Sequence, residues 1–117
     1  MSQRFVRLAQ KAMKTPKFLW KDSQLEVQSR IIPGYQGDEM EVFLLTPDNL
    51  PQPAPCLEHL HGGGFVFEGS ASHFRLAMTY AKEARCKVVF VRYRLAPKHP
   101  FPVPQEDCYA TLCWVYD

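Results

Sequence analysis

The sequence has no long hydrophobic run, no closely paired cysteines and no acidic residue near its start. Its longest aliphatic or aromatic runs, residues 42–45 and 88–91, are four residues long, whereas a helix needs about 20 apolar residues to cross a bilayer. Within these 117 residues, therefore, we expect neither a membrane span nor the apolar core of a secretory signal.

The cysteines form no Cys-x-x-Cys pair and are too sparse for a disulfide scaffold; they are Cys56, Cys86, Cys108 and Cys113. Reduced and mostly buried thiols are the expectation, and they favour a cytoplasmic protein. No metal site is predicted either. Cys56, His59 and His61 lie on or beside one predicted strand, and alternate strand residues make a poor metal cage without a fourth ligand.

The composition is that of a single globular domain, with 46% hydrophobic and 22% charged residues in 117. The charge is unevenly distributed. Residues 1–21 carry six Lys or Arg and no acid, which leaves residues 22–117 with eight basic against twelve acidic residues. One basic helix on an acidic body, with no reader motif, gives no sequence readout, so nucleic-acid binding is not expected.

Residues 1–22 are predicted to form an amphipathic helix that packs on the domain or contributes to a cap. Its apolar residues recur at helical spacing, opposite Arg4, Arg7, Lys11 and Lys14; they are Phe5, Leu8, Ala9, Ala12 and Met13. Membrane-surface binding or organelle targeting is the alternative interpretation of this charge pattern.

Beyond Asp22 the pattern predicts strands over residues 25–32, 39–46, 56–60 and 87–93. A helix capped by Ser70 or Ser72 follows the third strand, with residues 74, 77, 78, 81 and 84 on its buried face. A second helix from Pro104 is predicted to pack through four residues, Tyr109, Leu112, Cys113 and Tyr116. The alternation of strand and helix indicates an α/β protein with a parallel sheet.

The segment that points to chemistry is His61-Gly62-Gly63-Gly64-Phe65, which directly follows a predicted strand. Three consecutive glycines are costly in backbone entropy, so they indicate unusual dihedral angles or a close approach of the backbone to another molecule. If the amides of Gly63 and Gly64 face a cleft, they can stabilise the anion that forms on a carbonyl under attack. A flexible turn is the alternative for the glycines taken alone.

The sequence contains two separated motifs, Leu60-His61-Gly62-Gly63-Gly64-Phe65-Val66 and Tyr93-Arg94-Leu95-Ala96-Pro97, the latter followed by Phe101-Pro102 and Glu106-Asp107. Over roughly residues 25–117, these motifs resemble the hormone-sensitive-lipase-like family of α/β-hydrolases. The resemblance implies that residues 23–117 are the N-terminal portion of an α/β-hydrolase catalytic domain. It implies a carboxylic ester hydrolase of the short-chain esterase or lipase type, which uses a Ser/Asp/His triad and no metal or organic cofactor.

The same resemblance implies roles for individual residues. Gly63 and Gly64 would donate to the oxyanion, His61 and Gly62 would shape the loop, and Phe65 would pack near the acyl-binding cleft. By the family's strand order, the strand at 56–60 should pair with that at 87–93. The substrate would be a small-molecule ester.

The sequence also departs from the family pattern. Arg92 stands where an aspartate commonly precedes the second motif, and Lys98 replaces the usual Glu. No Gly-x-Ser-x-Gly occurs; Ser70 and Ser72 lack the second glycine and the strand-to-helix elbow. We therefore expect a chain truncated before the nucleophile elbow and inactive by itself.

Two further hypotheses concern the second motif. Arg94 and Asp107 are predicted to form an ion pair that fixes the proline-rich loop to the following helix. Residues Arg94–Pro100 also satisfy an Arg-x-x-Pro-x-x-Pro pattern, typical of peptides that bind aromatic grooves. An interaction module or a non-catalytic fragment is therefore the alternative to an enzyme.

Overall fold

The computed structural model of the chain describes residue 4 and residues 22–116. The predicted N-terminal helix, including its apolar residues from Phe5 to Met13, lies outside the described residues. The elements are β1 (Leu25–Pro33), β2 (Glu39–Pro47), β3 (Cys56–His59), α1 (Ala71–Ala84), β4 (Lys87–Arg92) and α2 (Val103–Tyr116). Every strand begins at its predicted residue and ends within one residue of the prediction.

The strands form one sheet in the order β1-β2-β4-β3. β3 and β4 are parallel, with Leu57 opposite Val88, and α1 connects them. β1 pairs antiparallel with β2, and β2 pairs antiparallel with β4. The predicted parallel arrangement thus holds for the β3-α1-β4 unit. The connection between β1 and β2 is only residues 34–38, too short for the crossover that parallel neighbours require.

The first helix packs as its sequence period predicts. Ser70 is its N-cap, and the buried residues of α1 are Phe74, Ala77, Met78 and Ala81, whereas Ala84 is exposed. These side chains cover the face of the sheet that carries Leu45, Val88 and Phe90. The small alanines allow the helix to lie close to the strands, because no larger side chain separates the two backbones.

The second helix uses a different face from the one predicted. Its predicted packing residues are exposed: Tyr109, Leu112, Cys113 and Tyr116. The buried residues of α2 are instead Pro104, Asp107 and Thr111. Cys108, Trp114 and Val115 join them against the second face of the sheet. The prediction was wrong because apolar spacing treats Asp107 as a surface residue, whereas this carboxylate is the best-bonded group of the helix.

Asp107 is completely buried and anchors α2 through the predicted ion pair. Its carboxylate lies 2.8 Å from Nη2 and 2.9 Å from Nε of Arg94, and it accepts hydrogen bonds from the amides of Tyr35 and Arg94. Burial raises the pKa of Asp107, but these hydrogen bonds outweigh it and the net pKa is lowered. The predicted contact between the loop and the helix is confirmed.

Arg94 has further partners, the carboxylate of Asp38 and the carbonyl of Tyr35. Its side chain is 15% exposed. Docking residues 94–100 into the groove of another protein would require breaking all of these bonds. Within residues 22–116, neither helix is long and apolar enough to cross a membrane.

Candidate oxyanion site

The glycine loop, residues 61–69, leaves the C-terminal end of β3 with a run of positive φ angles. These are 140° at Gly63, 64° at Gly64 and 63° at Phe65. A Cβ at Gly63 would lie 2.8 Å from the carbonyl oxygen of Phe67, so both the dihedral angle and the available space require glycine there. Gly64 has open space around it, so only its dihedral angle favours glycine.

The amides of Gly63 and Gly64 have no acceptor within the described part of the chain. The carbonyl of Gly63 closes the turn, since it accepts hydrogen bonds from the amides of Val66 and Phe67, both at 3.2 Å. Gly63 is partly exposed and Gly64 is exposed. The loop therefore holds two neighbouring N–H groups without a partner among the described residues, in a turn closed by its own backbone. Unpaired donors that are held in advance are what an oxyanion hole requires.

His61 is held where the loop begins. Its ring stacks on Phe90 with centroids 5.6 Å apart and on Tyr93 with centroids 4.5 Å apart. The Tyr93 hydroxyl donates to the His61 carbonyl at 2.6 Å, and Nδ1 of His61 donates to the Gly62 carbonyl at 2.8 Å. Burial lowers the pKa of His61. A buried, neutral imidazole bonded to its own loop is suited to hold the backbone rather than to act as a general base.

Gly62 and Phe65 lie on either side of the two donors. A Cβ at Gly62 would meet only Nε2 of His73, at an ordinary 3.6 Å, so space does not require glycine there. Phe65 packs edge-on against Tyr93 at 5.5 Å, and its carbonyl accepts the Ala96 amide at 2.9 Å. Its side chain is 39% exposed beside the donors. The substrate contact predicted for Phe65 stays a prediction.

Ser70 and His73 lie close together without forming a nucleophile and base. Ser70 Oγ is 3.1 Å from His73 Nδ1, but that nitrogen already accepts the Ser70 amide at 2.9 Å. An unprotonated imidazole nitrogen has one lone pair, so it is not free to take the hydroxyl proton. Ser70 Oγ also lies 2.8 Å from Ser72 Oγ. This cluster caps α1.

The structure adds contacts that the motifs alone do not predict. Arg92 donates to Glu68 at 3.0 Å and also pairs with Glu41, so it joins the end of the loop to β2. The sequence signal for this contact was the departure at Arg92 from the family's usual aspartate. Across residues 22–116, no three His, Cys, Asp or Glu side chains are grouped so that they could hold a metal ion.

Comparisons with known proteins identify the family of the chain. A family profile described as an alpha/beta hydrolase fold matches residues 57–117. Hormone-sensitive lipase from Bos taurus is 37% identical over 79 residues, which are 68% of this chain and 10% of the lipase. The chain belongs to the hormone-sensitive-lipase-like family of α/β-hydrolases.

Two more relatives of the family match a larger share of the chain. The carboxylesterase NlhH of Mycobacterium tuberculosis is 36% identical over 104 residues, which are 88% of this chain and 32% of that enzyme. A solved fungal esterase from Rhizomucor miehei superposes with a TM-score of 0.77 at 27% identity, covering 100% of this chain and 37% of the esterase. The predicted α/β-hydrolase fold is confirmed, and the chain spans about a third of the length of these two esterases.

Proposed function

We propose that this protein is a carboxylic ester hydrolase in which the Gly63 and Gly64 amides form the oxyanion hole. The observation that carries the proposal is the pair of N–H groups in a loop of positive φ angles, without an acceptor among the described residues. Family members that match this chain are named as carboxylesterases and lipases. The substrate class that fits is a small ester with a short acyl chain.

The two amides would act when a nucleophile adds to the ester carbonyl. Addition places negative charge on the carbonyl oxygen, and donors held in advance stabilise that charge without reorganising. Collapse of the intermediate re-forms the carbonyl, expels the alcohol and leaves an acyl-enzyme, which water then hydrolyses. His61 and Gly62 set the start of the loop, and Phe65 lines the side on which the acyl group lies.

The nucleophile would come from outside these 117 residues. Among them there is no Gly-x-Ser-x-Gly, and His73 is not available to activate Ser70. We propose that a serine and its Asp and His partners complete the site, and that the 117 residues alone do not hydrolyse esters. Only Cys86 is buried among the cysteines, while Cys56 and Cys113 are exposed, so the predicted burial of most thiols was wrong. The cytoplasmic setting stays a proposal that rests on the sparse, unpaired cysteines of the sequence.

The test uses the native protein that carries this sequence, with p-nitrophenyl butyrate as substrate. Gly64→Ala keeps the amide N–H but disfavours the φ of 64° that sets the direction of the donors. We expect kcat to fall about a hundredfold, the size of losing one oxyanion donor. Gly37→Ala is the matched control, because Gly37 also has a positive φ of 80° and open space but lies in the connection between β1 and β2, outside the glycine loop.

Equal losses in the two variants would contradict the oxyanion role, since both share the same backbone penalty. A fluorophosphonate probe tests the nucleophile separately. It adds covalently to an activated serine, so an unchanged mass of the native protein after treatment, together with no turnover of the ester, would overturn the proposed hydrolase function.

A further inference from the structure

The end of the glycine loop is tied to the sheet by a charged pair. Arg92, the last residue of β4, donates through Nη2 to Glu68 at 3.0 Å, and its Nη1 pairs with Glu41 on β2. The guanidinium also lies over the Phe43 ring, 5.9 Å from its centroid. The Arg92 guanidinium therefore joins the Glu68 carboxylate of the loop to Glu41 on β2.

The loop has anchors at three successive points, all supplied by the end of β4 and the segment after it. Tyr93 holds the carbonyl of His61, the Ala96 amide holds the carbonyl of Phe65, and Arg92 holds the side chain of Glu68. The first two bonds lie on either side of the glycine donors. The third lies after the turn, where the chain leaves it for α1.

The position of Glu68 also affects the chemistry of the loop. Its carboxylate acts on His61 electrostatically and opposes the lowering of that imidazole's pKa by burial. The bond to Arg92 restricts the Glu68 side chain to one position, whereas an unpaired glutamate would sample several rotamers.

We propose that Arg92 and Glu68 form a positioning pair that holds the Gly63 and Gly64 amides in their donor geometry. The inference rests on the proposed function for its catalytic consequence. Neither side chain touches substrate; each acts through the loop backbone. Arg92 stands where the family commonly carries an aspartate before the second motif.

The first experiment measures the loop without reference to catalysis. Hydrogen exchange in the native protein is followed in peptides covering residues 61–69, for Glu68→Gln and for Glu41→Gln. The control removes the other partner of Arg92 and leaves the contact with Glu68 intact. We expect exchange in the loop to rise about two- to fivefold in Glu68→Gln, the range for a partly exposed ion pair, and to change less in Glu41→Gln.

A double-variant cycle tests whether the effect belongs to the pair. With Arg92 already replaced by Gln, the further change Glu68→Gln should leave loop exchange unaltered. Unchanged loop exchange in the single Glu68→Gln variant would overturn the proposal. So would an equal rise in exchange across the sheet, because that result shows general destabilisation.

The second experiment asks whether the pair matters for turnover of p-nitrophenyl butyrate. We expect Glu68→Gln to lower kcat about three- to tenfold with KM little changed, because misplaced donors weaken transition-state binding more than substrate binding. A change in KM alone would overturn the positioning role. If the parent protein shows no hydrolysis, the proposed function fails, and the exchange experiment still decides whether the pair holds the loop.

Discussion

The two faces of the sheet hold their helices by different means. α1 lies on one face mainly through apolar side chains, with Ala77 and Ala81 completely buried. Its ion pair, from Lys82 to Asp22 at 2.8 Å, lies at the partly exposed edge of this contact. α2 lies on the other face with a completely buried carboxylate, Asp107, bonded to Arg94 and to two backbone amides. Apolar packing tolerates small shifts of the helix, whereas a buried carboxylate forms all of its hydrogen bonds in one position only. The rotation of α2 is therefore set by a polar group.

The largest effect should come from removing that carboxylate. Asp107→Ala leaves the Arg94 guanidinium, 15% exposed, without its closest partner. Breaking a buried pair in this way costs about 3–5 kcal/mol. The free energy of unfolding from urea denaturation measures the loss. Asp38→Ala, at a partner of Arg94 that is 67% exposed, is the control and should cost less than about 1 kcal/mol. Similar losses in both variants would contradict the comparison.

The apolar face should respond to added volume. Ala77→Leu inserts three carbons between α1 and the sheet where Ala77 has no exposed surface. Overpacking of this kind costs about 1–3 kcal/mol. Leu76→Ala on the exposed side of the same helix is the control and should change the unfolding free energy by less than about 0.5 kcal/mol. A neutral Ala77→Leu would show that the helix is not closely packed.

Lowering the pH should reduce the stability of the two faces in different pH ranges. Burial lowers the pKa of His59 and His61, which stack beside α1, below the usual 6.5. As pH falls below 6.5, the unfolded chain binds protons that the folded chain does not, so stability declines. The pKa of Asp107 is lowered below 3.8, so its contribution is complete above that value and is lost as pH falls through the folded pKa.

Urea denaturation between pH 7.5 and pH 3 gives the two parts of this profile. His59→Phe keeps the stacking on Phe90 and should flatten the upper part, while Asp107→Asn should flatten the lower part. A profile that is level from pH 7 to pH 5 in the parent protein would refute the role of the histidines.

The smallest effect belongs to the face of α2 that apolar spacing selected. Leu112 is 51% exposed. Leu112→Ser should therefore change the unfolding free energy by less than about 0.5 kcal/mol. Thr111→Ser is the neighbouring comparison, because Thr111 is completely buried and loses a methyl group. It should cost about 1 kcal/mol. A larger loss of unfolding free energy in Leu112→Ser than in Thr111→Ser would support the packing face predicted from apolar spacing.

Sequence reasoning succeeded where regular apolar spacing or a pair of opposite charges determines the packing. The strands and the buried face of α1 follow from apolar spacing, and the Arg94–Asp107 pair follows from opposite charges in neighbouring motifs. The antiparallel pairing of β1 with β2 did not follow from the alternation of elements, because a five-residue connection, residues 34–38, overrides it. The rotation of α2 did not follow either, because hydropathy assigns Asp107 to the surface.

The candidate site was predictable as a motif but not as a geometry. Three consecutive glycines indicate unusual dihedral angles, and the structure has them at Gly63 and Gly64. The left-handed conformation of Phe65 could not be read from its residue type, which disfavours it. The bonds from Tyr93 and Arg92 to the loop depend on the tertiary contact between β4 and β3, so the sequence marked Arg92 as a departure from the family but did not indicate its partners.

The bond from the Ala96 amide to the Phe65 carbonyl has a consequence for engineering. It joins two connections that are far apart in the chain through backbone atoms alone. Every residue except proline can donate this bond at position 96, so changes of side chain in either loop do not remove it. A library that randomises the side chains of both loops should therefore keep their contact as long as proline is left out at position 96.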